Sequence, residues 1–266
     1  MIRDITLGQY FPGDSILHRL DPRLKVVATL AYIVLLFVVN EWIGFAACFV
    51  FLAAEVALSK VPLSYILRGL KVIFIIILFT FVLNLFMYDG TVLVRIWKLT
   101  ITDQGLKRAL FMAGRLILLI ISSSLLTFTT TPIQLTNGME RLMKPLSKIG
   151  VPSHEIAMMM SIALRFIPTL LDETDKIMKA QQARGADFET GNILHRAKQM
   201  IPILVPLFIS AFRIAQDMAL AMEARCYRGG EGRTSMNEMR LHTRDYIAAV
   251  ILLLFTAGII ALRVLI

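Results

Sequence analysis

The chain has 266 residues, of which 57% are hydrophobic, and a formal net charge of +9. Several apolar runs approach the ~20 residues that a bilayer-spanning helix needs, which places it among integral membrane proteins. Lys and Arg are spread along the chain with no aromatic platform beside them. The charge therefore argues against nucleic-acid binding and for loop cations that set membrane orientation. Cys48 and Cys226 lie far apart, one in an apolar run and one in a polar segment, which argues against a disulfide or a metal site.

Residues 1–23 read as a polar lead-in without the early apolar core of a signal peptide. Asp21 before Pro22 suits a helix start, with Asp at the N-cap and Pro at the first helical position. Four spans are predicted within residues 24–130: about Leu24 to Val39, Trp42 to Leu58, Leu70 to Met87 and Ala109 to Phe128. Lys60, Pro62, Arg68 and Lys71 read as one loop, and Tyr88 to Arg108 as another, with Asp89-Gly90 as its turn.

The character changes across residues 131–245, where Ile133 to Asp245 carries 15 Lys or Arg and 12 Asp or Glu. Leu135, Met139, Leu142, Leu146 and Ile149 recur at steps of three and four, one face of an amphipathic helix. Ser153 is placed as the N-cap of a second helix running from His154 towards Ala183, roughly 45 Å long at 1.5 Å per residue. Gly185 is placed to cap its C-terminus. A third helix is predicted from near Ile193 to Arg225, kinked or interrupted by Pro202 and Pro206. Ile201, Leu204, Phe208, Phe212, Ala215, Ala219 and Met222 form its apolar stripe. The last span lies in residues 246–266. The predicted fold is an all-α integral membrane protein: five transmembrane helices, with a three-helix cytoplasmic coupling segment inserted before the last. A cytoplasmic N-terminus puts most basic residues inside, as the positive-inside bias requires, with Arg95, Lys98, Lys107 and Arg108 as exceptions.

Two helix ends stand out: Ala183-Arg184-Gly185 and Ala224-Arg225-Cys226. One arginine in a last turn is explained by the helix dipole alone, worth ~0.3–1 kcal/mol. Two on consecutive helices, each behind an alanine and before a short residue, point to handles for partner proteins. Small neighbours leave the guanidinium uncovered, and its rigid fork of donors suits a carboxylate.

These motifs resemble the transmembrane T component of energy-coupling factor transporters, ATP-driven importers of vitamins and metals. The resemblance covers essentially the whole chain and includes Asp21-Pro22-Arg23, Ser161-Ile162-Ala163-Leu164-Arg165-Phe166-Ile167-Pro168, Arg184-Gly185-Ala186-Asp187-Phe188, and Glu223-Ala224-Arg225 with Tyr227 and Gly229. It implies a scaffold in the cytoplasmic membrane that couples two ATPase subunits, docked at the two arginine motifs, to one substrate-binding membrane subunit. Ala224-Arg225-Cys226 departs from the family pattern, with cysteine where glycine is common. ATP and magnesium would belong to the ATPase subunits; no cofactor is expected in this chain. Eleven of the 14 methionines lie from Met139 onward. With the resemblance, Leu135, Met139, Leu142, Met143, Leu146, Met158, Met159 and Ile162 are expected to form an adaptable apolar surface for the substrate-binding subunit.

Rival readings carry less. A conventional permease should line its own path with polar residues, and these are few in the spans (Thr80, Asn84, Ser122 to Ser124, Thr127). A membrane enzyme lacks its ligands: His154-Glu155 begins a His-Glu-x-x-His pattern, but Met158 stands at the second histidine. The glycine-rich 229–234 stretch lacks the phosphate-loop order.

Overall fold

The computed structural model describes residues 10–87, 91–96, 99–186, 188, 198–229, 239 and 241–265. Its helices are α1 (Pro22–Val38), α2 (Trp42–Ser59), α3 (Leu63–Met87), α4 (Asp103–Thr129), α5 (Pro132–Met143), α6 (Ser153–Ala183), α7 (Ile201–Ala224) and α8 (Thr243–Leu265). A 3-10 helix, Lys144–Ile149, follows α5. One short antiparallel hairpin, β1 (Val92–Ile96) with β2 (Leu99–Thr102), precedes α4 and pairs Val92 with Thr102 and Ile96 with Leu99.

The protein is thus an all-α membrane protein, with five helices among the described residues long and apolar enough to cross a bilayer: α2, α4, α6, α7 and α8. Bent α3, turned by 61° between Lys71 and Ile73, makes a sixth if its halves count as one. The set differs from the predicted one. α1 has 17 residues and is too short by this measure, whereas α6 and α7 qualify because each opens with a long apolar half. The predicted 60–71 loop is mostly the first turns of α3, and the 88–108 loop contains the hairpin and the start of α4. Asp89-Gly90 lies outside the described residues.

The chain divides into two compact units, one within Gly8–Gly138 and Met239–Ile266, the other within Met139–Glu238. The first is a helical bundle whose core is Tyr32, Leu35, Leu36, Val39, Cys48, Leu52, Leu118 and Ile259, contributed by α1, α2, α4 and α8. Phe51 and Phe255 stack at 4.2 Å between ring centroids, and the Tyr32 hydroxyl donates to the Cys48 carbonyl at 3.0 Å. Arg115 is buried and donates to the carbonyl of Val39, the C-cap of α1, at 2.7 Å. It therefore satisfies a helix end. Phe74, Ile75 and Phe79 on α3 face outward, as lipid-facing side chains do.

A polar knot joins the starts of α1 and α8. The Asp21 side chain caps α1 by accepting from the Arg23 backbone N–H at 2.9 Å, with Pro22 in the first turn, as the sequence predicts. Asp245 is 4% exposed, and its carboxylate accepts from the backbone N–H of His242 and that of Asp21, both at 2.8 Å. One side chain thus serves the N-cap residues of two helices, half of a capping box on its own helix and a bridge to the other. Arg23 donates to the Met239 carbonyl at 3.0 Å. Gly138 of α5 meets this turn, where an added Cβ would lie 3.1 Å from Pro22 Cβ. Asp245→Ala removes the acceptor of two buried donors at ~1–3 kcal/mol each, so unfolding of the purified chain should begin several degrees lower. Unchanged thermal stability by tryptophan fluorescence would contradict this.

The second unit holds α6 and α7, packed on one another. Two expectations change here and a third is narrowed. The helix predicted through Ile149 ends at Met143 and tightens into a 3-10 turn, because Pro145 has no N–H to donate and its ring crowds the preceding turn. Ser153 is the first residue of α6 and makes no side-chain cap; the cap position is Pro152. The predicted kink or interruption at Pro202 is a break: α7 opens at Ile201 with Pro202 in its first turn, where a missing N–H is harmless. The predicted start at Ile193 lies outside the described residues.

Candidate functional site: two arginine-tipped helix ends

The C-terminus of α6 is closed by a Schellman motif. Ala186 N–H donates to the Gln181 carbonyl at 3.0 Å and Gly185 N–H to the Gln182 carbonyl at 2.9 Å, with Gly185 left-handed at φ +91°. Gly185 is the cap, as predicted, and Arg184 is the last half-helical residue, with φ −88° and ψ 5°.

The C-terminus of α7 repeats this motif bond for bond. Tyr227 N–H donates to the Met222 carbonyl at 3.0 Å and Cys226 N–H to the Glu223 carbonyl at 2.8 Å. Cys226 takes the left-handed position at φ +55°, and Arg225 has φ −92° and ψ 12°. The cysteine therefore leaves the cap geometry unchanged, although the sequence suggests a differently shaped end. A left-handed non-glycine residue costs roughly 1–2 kcal/mol. Cys226→Gly should therefore strengthen this helix end by about 1 kcal/mol, seen as slower amide exchange at Cys226 and Tyr227; faster exchange would contradict it.

Ala183, Arg184, Gly185, Ala224, Arg225 and Cys226 are all exposed. Among the described residues neither guanidinium has a hydrogen bond or an ion pair. Both sit at the negative end of a helix dipole, which holds a cation there favourably but leaves its fork of donors open. Asp187 lies outside the described residues.

The two ends are far apart. Pro206 has no N–H to give the Pro202 carbonyl, and Gln181 Nε2 reaches that oxygen at 3.5 Å. The C-terminal turn of α6 thus lies beside the first turn of α7, and Arg225 stands at the other end of this 24-residue helix. At 1.5 Å per residue that separates the arginines by roughly 35 Å. A single small ligand does not span that distance; two protein surfaces do.

The residues of the second predicted group differ in exposure. Met139 is 44% exposed, Leu146 45% and Met159 58%, while Leu135, Leu142, Met143, Met158 and Ile162 are half-buried. His154 Nδ1 and Glu140 Oε1, 2.9 Å apart, tie the end of α5 to the start of α6. The α7 stripe is also uncovered: Ile203 is buried, whereas Leu204, Phe208 and Phe212 face out. The sequence identifies that stripe by periodicity without saying what covers it.

Three of the polar span residues serve their own helices. Thr80 Oγ1 donates to the Ile76 carbonyl at 2.8 Å, Asn84 Nδ2 to the Thr80 carbonyl at 2.8 Å and Thr127 Oγ1 to the Ser123 carbonyl at 3.2 Å. Such self-satisfied side chains do not make a hydrophilic path.

Residues 13–236 match the profile of a family described as cobalt transport protein. The chain is 60% identical over 253 residues to the energy-coupling factor transporter transmembrane protein EcfT of Clostridium kluyveri, covering 94% of this chain and 93% of that one. It is 56% identical over 262 residues to the protein of the same name from Thermosediminibacter oceani, covering 98% and 99% of the two chains. It is 45% identical over 264 residues to that of Bacillus subtilis, covering 99% and 100%.

Proposed function

This chain belongs to the family of energy-coupling factor transporter transmembrane proteins, a membrane-embedded transport component, and from that premise we propose that it is the coupling scaffold of an ATP-driven importer. Two cytoplasmic ATPase subunits dock on it, one at Ala183-Arg184-Gly185 and one at Ala224-Arg225-Cys226. A substrate-binding membrane subunit rests on the apolar surface that includes Leu135, Met139, Leu142, Met143, Leu146, Met158, Met159 and Ile162. The observation that carries the reading is the pair of Schellman ends, alike in every backbone bond, each presenting an exposed arginine without a partner among the described residues.

A mechanism follows from this placement. Each arginine fork grips a carboxylate-bearing groove of one ATPase, with charge-assisted bonds roughly twice as strong as neutral ones. Closure of the ATPases around ATP changes the distance between grooves and so displaces the C-terminal ends of α6 and α7. Because hydrogen-bonded helices are stiff, the displacement reaches the apolar surface at the start of α6. The substrate-binding subunit reorients if its orientations bind that surface differently in the two nucleotide states. ATP and magnesium stay with the ATPases, and the cargo, a vitamin or another micronutrient, with the substrate-binding subunit. The N-terminus and the arginine-tipped ends face the cytoplasm.

The test is the intact mass of the complex purified through a tag on this chain. The expected assembly is one copy of this chain, two ATPase subunits and one further membrane subunit. A stable dimer of this chain with ATPases and no further membrane subunit would instead support a conventional permease.

A further inference from the structure

An apolar cavity of about 560 Å³ opens in the helical bundle between the lead-in, α1, α2, α4 and α8. Its wall includes Leu24, Ala28, Phe51, Leu125, Ala248 and Ile251. A second cleft of about 320 Å³ adjoins it, with Ile16, Leu58 and Arg244 lining both. The second cleft lies where α2 ends and α8 begins, and its lining includes Asp14, Arg19, Lys60 and Arg244. Arg19 is already engaged, donating through Nε and Nη2 to the two Asp14 oxygens at 2.8 and 2.6 Å. That bidentate bond holds the Asp14 carboxyl below its ordinary value, so the pair contributes no net charge. Lys60 and Arg244 remain, without an ion pair among the described residues.

Lys60 is also conformationally unusual. It is left-handed at φ +56° at the C-cap of α2, a position that ordinarily takes glycine. Ser59 braces the turn, its hydroxyl donating to the Val56 carbonyl at 2.7 Å and accepting from Val61 N–H at 3.2 Å. Deeper in, Lys25 Nζ donates to the Thr129 carbonyl at 2.9 Å and the His18 carbonyl at 3.3 Å, and Glu55 lines the apolar wall. Lys25 is thus engaged by carbonyls, which leaves Lys60 and Arg244 as the cations available at the second cleft.

We propose that this cleft binds one anionic phospholipid, with an acyl chain in the apolar cavity and the phosphate between Lys60 and Arg244. The volume lies within the ~300–1,000 Å³ of well-formed small-molecule sites, and the cavity opens among membrane helices whose surroundings are lipid. A chain leaving the bilayer for an apolar cavity gains little, because both environments are hydrocarbon. Selection therefore rests on the mouth, where each cation near an anionic headgroup is worth roughly fivefold in affinity.

The purified complex, equilibrated with an equimolar mixture of phosphatidylglycerol and phosphatidylcholine and read by native mass spectrometry, tests this. The wild-type complex is expected to retain one phosphatidylglycerol in preference to phosphatidylcholine. Lys60→Glu with Arg244→Glu should remove the preference, a change of roughly 25-fold or more. Ala28→Phe with Ala248→Phe leaves the mouth intact, fills the cavity, and should reduce retention of either lipid; it carries the test if the charge variant does not assemble. Equal retention of the two lipids by the wild type, or a preference unchanged in both variants, overturns the proposal.

Discussion

Arg184→Glu combined with Arg225→Glu is expected to release both ATPase subunits, so that neither co-purifies with this chain. The argument rests on geometry and charge together. Each arginine is the half-helical residue before a left-handed cap, and each is flanked by an alanine that leaves it uncovered. A partner carboxylate meeting the fork is desolvated on binding. Removing one member of such a pair leaves the other buried and unpaired, at roughly 2–5 kcal/mol per site, and reversal adds like-charge repulsion. Two sites roughly 35 Å apart on one scaffold act together, so losing both removes the mutual reinforcement as well as the two contacts. The single variants should each weaken assembly, with one ATPase subunit lost more readily than the other. The backbone motif is made by main-chain bonds and does not involve the guanidinium, so the variants should fold normally. Full recovery of ATPases with the double variant would contradict the docking assignment.

Met139→Asp, Met143→Asp and Met158→Asp together are expected to release the substrate-binding subunit while the ATPases stay bound. Met139 is exposed, and Met143 and Met158 are half-buried, so none fills a sealed core. Placing carboxylates in an apolar interface carries a desolvation cost far above the ~1.5–3 kcal/mol of burial lost with each side chain. Retention of the ATPases is the control for folding. If the substrate-binding subunit also stayed, the Met-rich face would serve packing within this chain.

Much of this protein is legible in its sequence where chemistry is local. The Asp21-Pro22 start of α1, the Gly185 cap and the apolar length of α2, α4 and α8 each follow from a few adjacent residues. Three features escape such reading. Cys226 in a left-handed cap is not written in the residue type, because non-glycine residues rarely adopt that conformation; only the parallel with Arg184 hints at it. Asp245 bridges to Asp21 across 224 positions, beyond any periodicity, although an acid three residues past the N-cap of the last helix is a signal that marks its start. The faces of α7 are the third: a hydrophobic stripe announces burial without saying against what. Ile203 is buried whereas Leu204, Phe208 and Phe212 look outward, although α7 packs on α6. Charge counting over residues 133–245 also conceals that the first halves of α6 and α7 are apolar enough to enter a bilayer.

The equivalence of the two caps bears directly on how force would be shared. The sequence suggests unequal handles because Cys226-Tyr227-Arg228 follows one arginine and Gly185-Ala186 the other. The backbone bonds are the same at both, so any inequality lies in the side chains that follow and not in the helix ends themselves.

The most direct test of the scaffold assignment is site-specific photo-crosslinking from the two caps in the assembled complex, with a photoreactive residue at Ala183 in one variant and at Ala224 in another. Each position leaves its neighbouring arginine in place and reports only what lies against it. The account predicts an adduct with an ATPase subunit at both positions. Adducts with lipid or with the substrate-binding subunit at both, and none with an ATPase, would contradict it.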